Sequence, residues 1–163
     1  AIDGFICSVG TGGTLGGVAL ALKERSKDVV IGLADPMGAA LYSYYAHGEL
    51  KSEGESITEG IGQGRVTRNL EDVPVDEAFR ITDADMLPVL YGLLRAEGLC
   101  LGGSSGINVL GAMRLAEKLG PGHSIVTILG DSGARYMRKL YNPAFLAERG
   151  LPVPEWLEDQ APA

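Results

Sequence analysis

Cysteine and histidine are scarce, two of each in 163 residues, and their scarcity removes several chemistries at once. Cys7 and Cys100 both lie in apolar runs and read as core. That is the cysteine usage of a protein in a reducing cytoplasm, with neither a disulfide framework nor a zinc site. His47 and His123 stand in polar, loop-like settings without metal-ligand spacing, which argues against a catalytic metal and a histidine-based triad. Basic residues are outnumbered, 14 Lys and Arg against 21 Asp and Glu, for a net charge of −7. Nucleic-acid binding usually rests on a clustered basic face. The most basic stretch here, Arg135, Arg138 and Lys139, is short and follows Asp131, so no nucleic-acid partner is expected. No apolar run approaches the length of about 20 residues that crosses a bilayer. The first residues also lack the basic start and cleavage pattern of a signal peptide. No membrane partner is expected either.

Glycine is abundant instead. The chain carries 24 of them, roughly twice the ordinary usage of about 7%. They follow no repeat, which excludes collagen, and an apolar fraction of 45% argues for a folded chain. The length suits one domain, or two small ones, with a real core.

Residues 2–9 form an apolar run that reads as a buried strand, broken by Gly10 to Gly13. Leu15, Val18, Ala19 and Leu22 recur at helical spacing, so a helix is predicted to about Arg25. Val29 to Ala34 reads as a second buried strand, closed by Asp35-Pro36. Strand, helix and strand in so short a span imply a parallel pair with a right-handed crossover. Residues 38–47 suit a helix, with Tyr42, Tyr44 and Tyr45 as packing or interface residues. From Gly48 to Pro74 no period is sustained, and a loop that long in a compact domain is usually functional or mobile.

Glu77 to Ile81 predicts a strand, and Thr82-Asp83-Ala84-Asp85 a capping-box helix start with Asp in place of the usual Glu. Leu87, Leu90, Tyr91 and Leu94 give that helix its apolar stripe, and Gly98 suits its C-terminal cap. Gly102 to Gly106 opens another helix, with Val109, Leu110, Met113 and Leu119 as expected core. Ser124 to Leu129 reads as a strand, and a further helix is expected near Ala134. The tail after Asn142-Pro143 is short, punctuated by proline and acidic near its end.

The sharpest chemical feature is Gly10-Thr11-Gly12-Gly13-Thr14 between a strand and a helix. Glycine lets the backbone approach a ligand closely, and a helix start offers unpaired N–H groups at a positive dipole end. Two threonine hydroxyls supply further donors, which together make a phosphate cradle. The alternative is a tight turn that binds nothing. A Walker loop is disfavoured because Leu15, not a lysine, follows Thr14. A dinucleotide fingerprint would place its third glycine at residue 15, and here it falls at Gly16. Asp35 does end the second strand, where a ribose-binding acid belongs, so NAD binding stays open as the second reading. Gly102 to Gly106 fits an anion contact or a serine-capped turn equally. Gly130-Asp131-Ser132-Gly133 should set Ser132 at the carboxyl edge of the sheet, as ligand contact or as helix cap. It lacks the Gly-x-Ser-x-Gly elbow of serine hydrolases.

Four motifs in order carry a resemblance. They are Gly-Thr-Gly-Gly-Thr-Leu-Gly-Gly-Val, Glu-Gly-Ile-Gly, Glu-Gly-Leu-Cys-Leu-Gly-Gly-Ser-Ser-Gly and Ile-Leu-Gly-Asp-Ser-Gly-Ala-Arg-Tyr. From about Ile2 to Trp156 the chain resembles the C-terminal half of cysteine synthase (O-acetylserine sulfhydrylase), a fold-type II pyridoxal-phosphate enzyme. The resemblance implies an α/β fold, an open, mainly parallel twisted sheet with helices on both faces. This would be the C-terminal large-domain part of the tryptophan synthase β-like fold. Residues 1–143 would form the pyridoxal-phosphate-binding domain and residues 144–163 a C-terminal tail.

The resemblance assigns Gly10, Thr11, Gly12, Gly13 and Thr14 to the cofactor phosphate and Ser132 to the pyridine nitrogen. Glu59, Gly60, Ile61 and Gly62 match the loop bordering the substrate. The implied reaction is β-replacement, in which acetate leaves O-acetylserine and sulfide adds to give cysteine. Many sulfhydrylases have Pro-Ser-Ser-Gly where this chain has Gly130-Asp131-Ser132-Gly133, and cystathionine β-synthases have Pro-Asp-Ser. A cystathionine β-synthase-like enzyme is therefore the alternative, ahead of an NAD-dependent dehydrogenase or a non-catalytic phosphate-binding domain. A homodimer, a small amino-acid substrate and serine acetyltransferase as a partner are implied as well. The family's Schiff-base lysine belongs to an N-terminal half expected upstream of Ala1. Lys23, Lys27, Lys51, Lys118 and Lys139 all stand in polar or helix-surface settings. These 163 residues alone are thus expected to be inactive.

Overall fold

The computed structural model describes residues 1–158. The last five residues of the expected tail, 159–163, lie outside the described residues. Four strands pair in parallel in the order β3-β2-β1-β4. They are β1 (Gly4–Cys7), β2 (Val30–Pro36), β3 (Glu77–Ile81) and β4 (Ile125–Val126). Phe5 sits opposite Ile31 in the β1–β2 ladder and Leu33 opposite Ala78 in β2–β3. Because all strands run the same way, their carboxyl ends share one edge, and Cys7, Pro36, Ile81 and Val126 all end there.

Side chains alternate across the sheet and build a core on each face. Phe5, Cys7, Ile31 and Leu33 pack with Leu15 and Ala19 of α1 (Gly13–Arg25) and Leu41 of α2 (Leu41–His47). Ile6 and Ala34 point the other way, toward α3 (Asp83–Glu97) and α4 (Gly103–Leu119). Helices therefore cover both faces, as the α/β reading requires.

Local chemistry sets the helix ends. Thr82 caps α3 by accepting the Asp85 N–H at 3.1 Å, and Gly98 closes it in the left-handed conformation at φ 69°. The reciprocal half of the expected capping box is absent: the Asp85 carboxylate pairs with Arg114 on α4 at 3.1 Å. Asn142 caps α5 (Pro143–Glu148) by accepting the N–H of Ala144. A last short helix, α6 (Glu155–Glu158), follows, and Leu146 and Leu157 of this tail are buried with Tyr91 and Tyr141.

Three expectations need correction. The strand expected over 124–129 pairs only at Ile125 and Val126. β4 is an edge strand bonded on one side alone, and Val126, Ile128 and Leu129 are exposed. The helix expected near Ala134 is a 3-10 turn, Gly133–Tyr136. Gly133 is wedged against Cys100 and Tyr141, where a Cβ would lie 2.6 Å from Cys100 Sγ, and this contact fixes the chain path. Finally, α4 buries Ile107, Gly111 and Leu115, whereas Met113 is 48% exposed. The helix turns this face inward because Gly111 lies against Ala34, where a Cβ would meet the Ala34 Cβ at 2.7 Å.

Candidate active site

The glycine-rich turn between β1 and α1 lies at the carboxyl edge of the sheet. Gly12 takes φ 86°, a conformation costly for side-chain-bearing residues, and this turns the chain into α1. The first intrahelical bond of this end is donated by the Gly16 N–H to the Gly12 carbonyl at 2.8 Å. The amides of Thr11, Gly12, Thr14 and Leu15 donate to no acceptor among the described residues. Four N–H groups thus converge at the positive end of a 13-residue helix. Such an end favours an anion.

A cavity of about 340 Å³ opens over these groups. Gly10 to Thr14 form one wall and Gly60 and Ile61 another, and Cys7, Ser104, Asn108, Ile128 and Gly130 are among the other lining residues. The residues assigned to phosphate and the middle of the Glu59–Gly62 loop therefore face one space. Contact between the two loops is tight: a Cβ on Gly10 would lie 2.5 Å from the Gly60 carbonyl oxygen. Gly62 donates its N–H to the Val9 carbonyl at 2.9 Å, fixing the far end of the loop beside the cradle. Glu59 lies on the outer side, ion-paired with Lys139 across a second cavity of about 760 Å³. The residues lining that larger cavity are all different from those lining the cradle's cavity.

Ser132 stands two residues beyond Gly130, exposed, and its hydroxyl accepts the Ala134 N–H at 3.3 Å as cap of the 3-10 turn. Leu101 bridges to it, so the 130–133 turn and the start of α4 are held together. Asp131 accepts a hydrogen bond from the Tyr136 hydroxyl, and that bond drives the phenol's pKa upward.

Period and motif gave no sign of several residues that build the site. Asn108 is buried on α4; its Oδ1 accepts the Ser8 N–H at 2.6 Å and its Nδ2 donates to the Ile128 carbonyl at 2.7 Å. It thereby ties the exit of β1 to the exit of β4. A polar residue one turn after Ser104, on a face otherwise buried, was the available signal. Thr67 and Asn69 both donate to the Thr11 carbonyl, at 2.8 and 3.0 Å, and brace the cradle from the segment left irregular by sequence.

Other groups are set aside by their surroundings. Cys7 lines the cavity, yet burial pushes its thiol up to about 12, so it stays protonated and unreactive near neutrality. Asp35 is fully buried, and its Oδ2 accepts the Tyr42 N–H at 2.8 Å. It points into the protein rather than to a ribose, which removes the match on which the NAD reading rested. No lysine lines the cavity. Lys23, Lys51, Lys118 and Lys139 pair with Asp76, Glu53, Glu77 and Glu59. Among the described residues no cluster of His, Cys, Asp and Glu could hold a metal ion, and no helix is long and apolar enough to cross a membrane.

Residues 1–131 match the family model described as pyridoxal-phosphate dependent enzyme. Cysteine synthase 1 of Emericella nidulans is 46% identical over 164 residues, which cover 96% of this chain and 44% of that protein. The solved O-acetylserine sulfhydrylase isoform 3 of Entamoeba histolytica superposes with a TM-score of 0.75 at 34% identity, over 86% of this chain and 41% of its own. An O-acetylserine dependent cystathionine β-synthase of Helicobacter pylori gives 0.76 at 29%, over 85% of this chain and 43% of its own. The chain thus spans less than half the length of each of these proteins.

Proposed function

The chain belongs to the family of pyridoxal-phosphate dependent enzymes, and from that premise we propose that it anchors the cofactor of a cysteine synthase. The reaction proposed for the whole protein is β-replacement on O-acetylserine, with acetate leaving and sulfide adding to give cysteine. The observation that carries the reading is the cradle with its four free amides, facing Gly60 and Ile61 across one cavity. Free amides at a helix start suit an anion such as a phosphate monoester. Thr11 and Thr14 add hydroxyls to the amide array.

When bound, pyridoxal phosphate supplies the electron sink for reactions at the substrate's α and β carbons. The residues of this chain hold and orient. Gly10, Thr11, Gly12, Gly13 and Thr14 would bind the phosphate and so fix one end of the cofactor. Ser132 is proposed for the pyridine nitrogen: a neutral hydroxyl leaves that nitrogen's proton unenforced, as a carboxylate would not. The Glu59, Gly60, Ile61, Gly62 loop closes one side of the cavity and would exclude water while contacting the amino acid. The lysine needed for catalysis is proposed to come from outside these 163 residues, which alone would be inactive. A homodimer and serine acetyltransferase remain the proposed protein contacts, and the reducing cytoplasm the proposed compartment.

Asp131 beside Ser132, with the likeness to the Helicobacter enzyme, favours a second reading: a cystathionine β-synthase-like enzyme with a thiol amino acid as acceptor. Purified full-length protein should carry visible absorbance that borohydride abolishes, and should form cysteine from O-acetylserine and sulfide. A faster reaction with homocysteine than with sulfide would select the second reading. A colourless protein that binds NAD would overturn both.

A further inference from the structure

We propose that Asp83 is a positioning residue for the substrate loop, clamping its entry so that Gly60 and Ile61 stand over the cradle. Asp83 is the first residue of α3 and is 8% exposed. Its carboxylate does not cap its own helix, because Thr82 does. It reaches across to a segment 27 residues earlier instead, accepting the Ser56 hydroxyl at 2.6 Å and the Ile57 N–H at 2.8 Å. Hydrogen bonds to an ionised acceptor are the stronger kind, and two on one carboxylate also fix direction.

Ser56 is the hub of this contact. Its oxygen also accepts the Thr58 N–H at 3.1 Å and lies 2.8 Å from the Thr58 hydroxyl, closing a tight turn. Thr58 then seats on the bare start of α4, where a Cβ on Gly103 would meet Thr58 Cγ2 at 2.9 Å. At the other end, Gly62 is bonded to Val9. Only Glu59, Gly60 and Ile61 remain between the two anchors, and Gly60 and Ile61 are the part that lines the cavity. A buried carboxylate on the rigid end of a 15-residue helix therefore sets where the substrate loop begins.

This inference rests on the proposed function for its catalytic consequence, and the test separates the two. Full-length, cofactor-loaded protein is compared as wild type, D83A, D83N and S56A. In D83A the Ile57 and Thr58 amides should exchange hydrogen at least about tenfold faster, because their anchor is gone. The value of kcat/KM for O-acetylserine should fall roughly 10- to 100-fold, mainly through KM, the scale expected for a reacting partner misplaced by about an ångström. Affinity for pyridoxal phosphate should stay within about twofold, since Asp83 touches nothing in the Gly10 to Thr14 cradle. D83N keeps an acceptor for the Ile57 N–H and should restore kcat/KM to within about threefold of wild type. S56A, which leaves Asp83 in place, should fall between and serves if D83A does not fold. Wild-type amide exchange in D83A, or in S56A where D83A is unfolded, would overturn the clamp. Exchange that rises while kcat and KM per loaded enzyme stay at wild type would overturn its positioning role. If the wild-type protein makes no cysteine, the proposed function fails, while the amide measurement still decides the clamp.

Discussion

Gly16 and Gly17 are neighbours on one turn of α1, and replacing each by alanine should change stability in opposite directions. Both are helical, so alanine gains about 0.5–1 kcal/mol at either position from the smaller backbone entropy loss. At Gly17 nothing lies within 4 Å of the added Cβ, and the gain is realised in full. At Gly16 the added Cβ falls on the backbone carbonyl of Asn69, well inside the 3.0 Å that real Cβ atoms keep, with Val73 Cγ2 at 3.4 Å behind it. A backbone carbonyl has no rotamer to retreat into. The 3-10 turn Arg68–Leu70 would have to move as a unit, at the cost of about 1–3 kcal/mol found for overpacked sites. The net expectation is a loss of about 0–2.5 kcal/mol for G16A and a gain of about 0.5–1 kcal/mol for G17A. Urea denaturation followed by far-UV circular dichroism reads both; thermal midpoints should move about 2–4 °C per kcal/mol. Asn69 also braces Thr11, so G16A in the full-length protein should weaken pyridoxal phosphate binding and G17A should not. If G16A proves as stable as G17A, the packing of the 66–70 segment on the cradle helix is wrong, and the brace with it.

The inward face of α4 makes a second pair: L115A should lose about 2–5 kcal/mol of stability by opening a cavity, and M113A less than about 0.5, because Leu115 is fully buried and Met113 is 48% exposed. Equal losses from the two, measured by urea titration, would reverse the assignment of faces. N142A removes the acceptor of the Ala144 and Phe145 amides at the start of α5 and should cost about 1 kcal/mol, whereas N142D should cost little. Asp35 gives a pH signature. Burial pushes its carboxyl from the ordinary 3.8 up to about 6, so the folded state holds the proton more tightly than the unfolded state does. Stability from this group is full below pH 3.8 and is lost as pH rises through about 6, a fall of about 3 kcal/mol. D35N should flatten that part of the stability profile between pH 4 and pH 6, and an unchanged difference between wild type and variant across the window would refute the buried charge.

What was legible in the sequence follows the range of the interaction that determines it. The β1–turn–α1–β2 unit, β3 and α3 are written in neighbouring residues: apolar runs, a glycine break and, for α3, a threonine cap and a terminal glycine. Each acts within a few positions, and each was readable. The apolar run at 124–129 predicts more strand than forms, because pairing is decided by a partner far away in sequence. Ile125 and Val126 find Gly4 and Phe5, and beyond them the Thr127 hydroxyl reaches β1 at the Ile6 carbonyl. The sequence predicts a helix where the 133–136 turn forms, because nothing local reports that Gly133 must sit under Cys100 and Tyr141.

The site divides along the same line. The Gly10 to Thr14 turn is legible directly, since a glycine-rich turn into a helix start is a local backbone shape. The elements that hold it in register, Asn108 between two strand exits, Thr67 and Asn69 on the Thr11 carbonyl and Asp83 on Ser56 and Ile57, are polar pairs 20 to 100 residues apart. Such pairs have no period, because each partner is chosen by where the fold brings it rather than by a repeat along the chain. The glycines show both kinds of information at once. Gly12 is required by its own dihedral, at φ 86°, and could be inferred from its turn. Gly10, Gly16 and Gly103 are held to glycine by the Gly60 carbonyl, the Asn69 carbonyl and the Thr58 methyl, none of them near in sequence. Glycine at Gly16 thus marks close packing of the brace, and for that reason it falls one residue beyond the dinucleotide pattern.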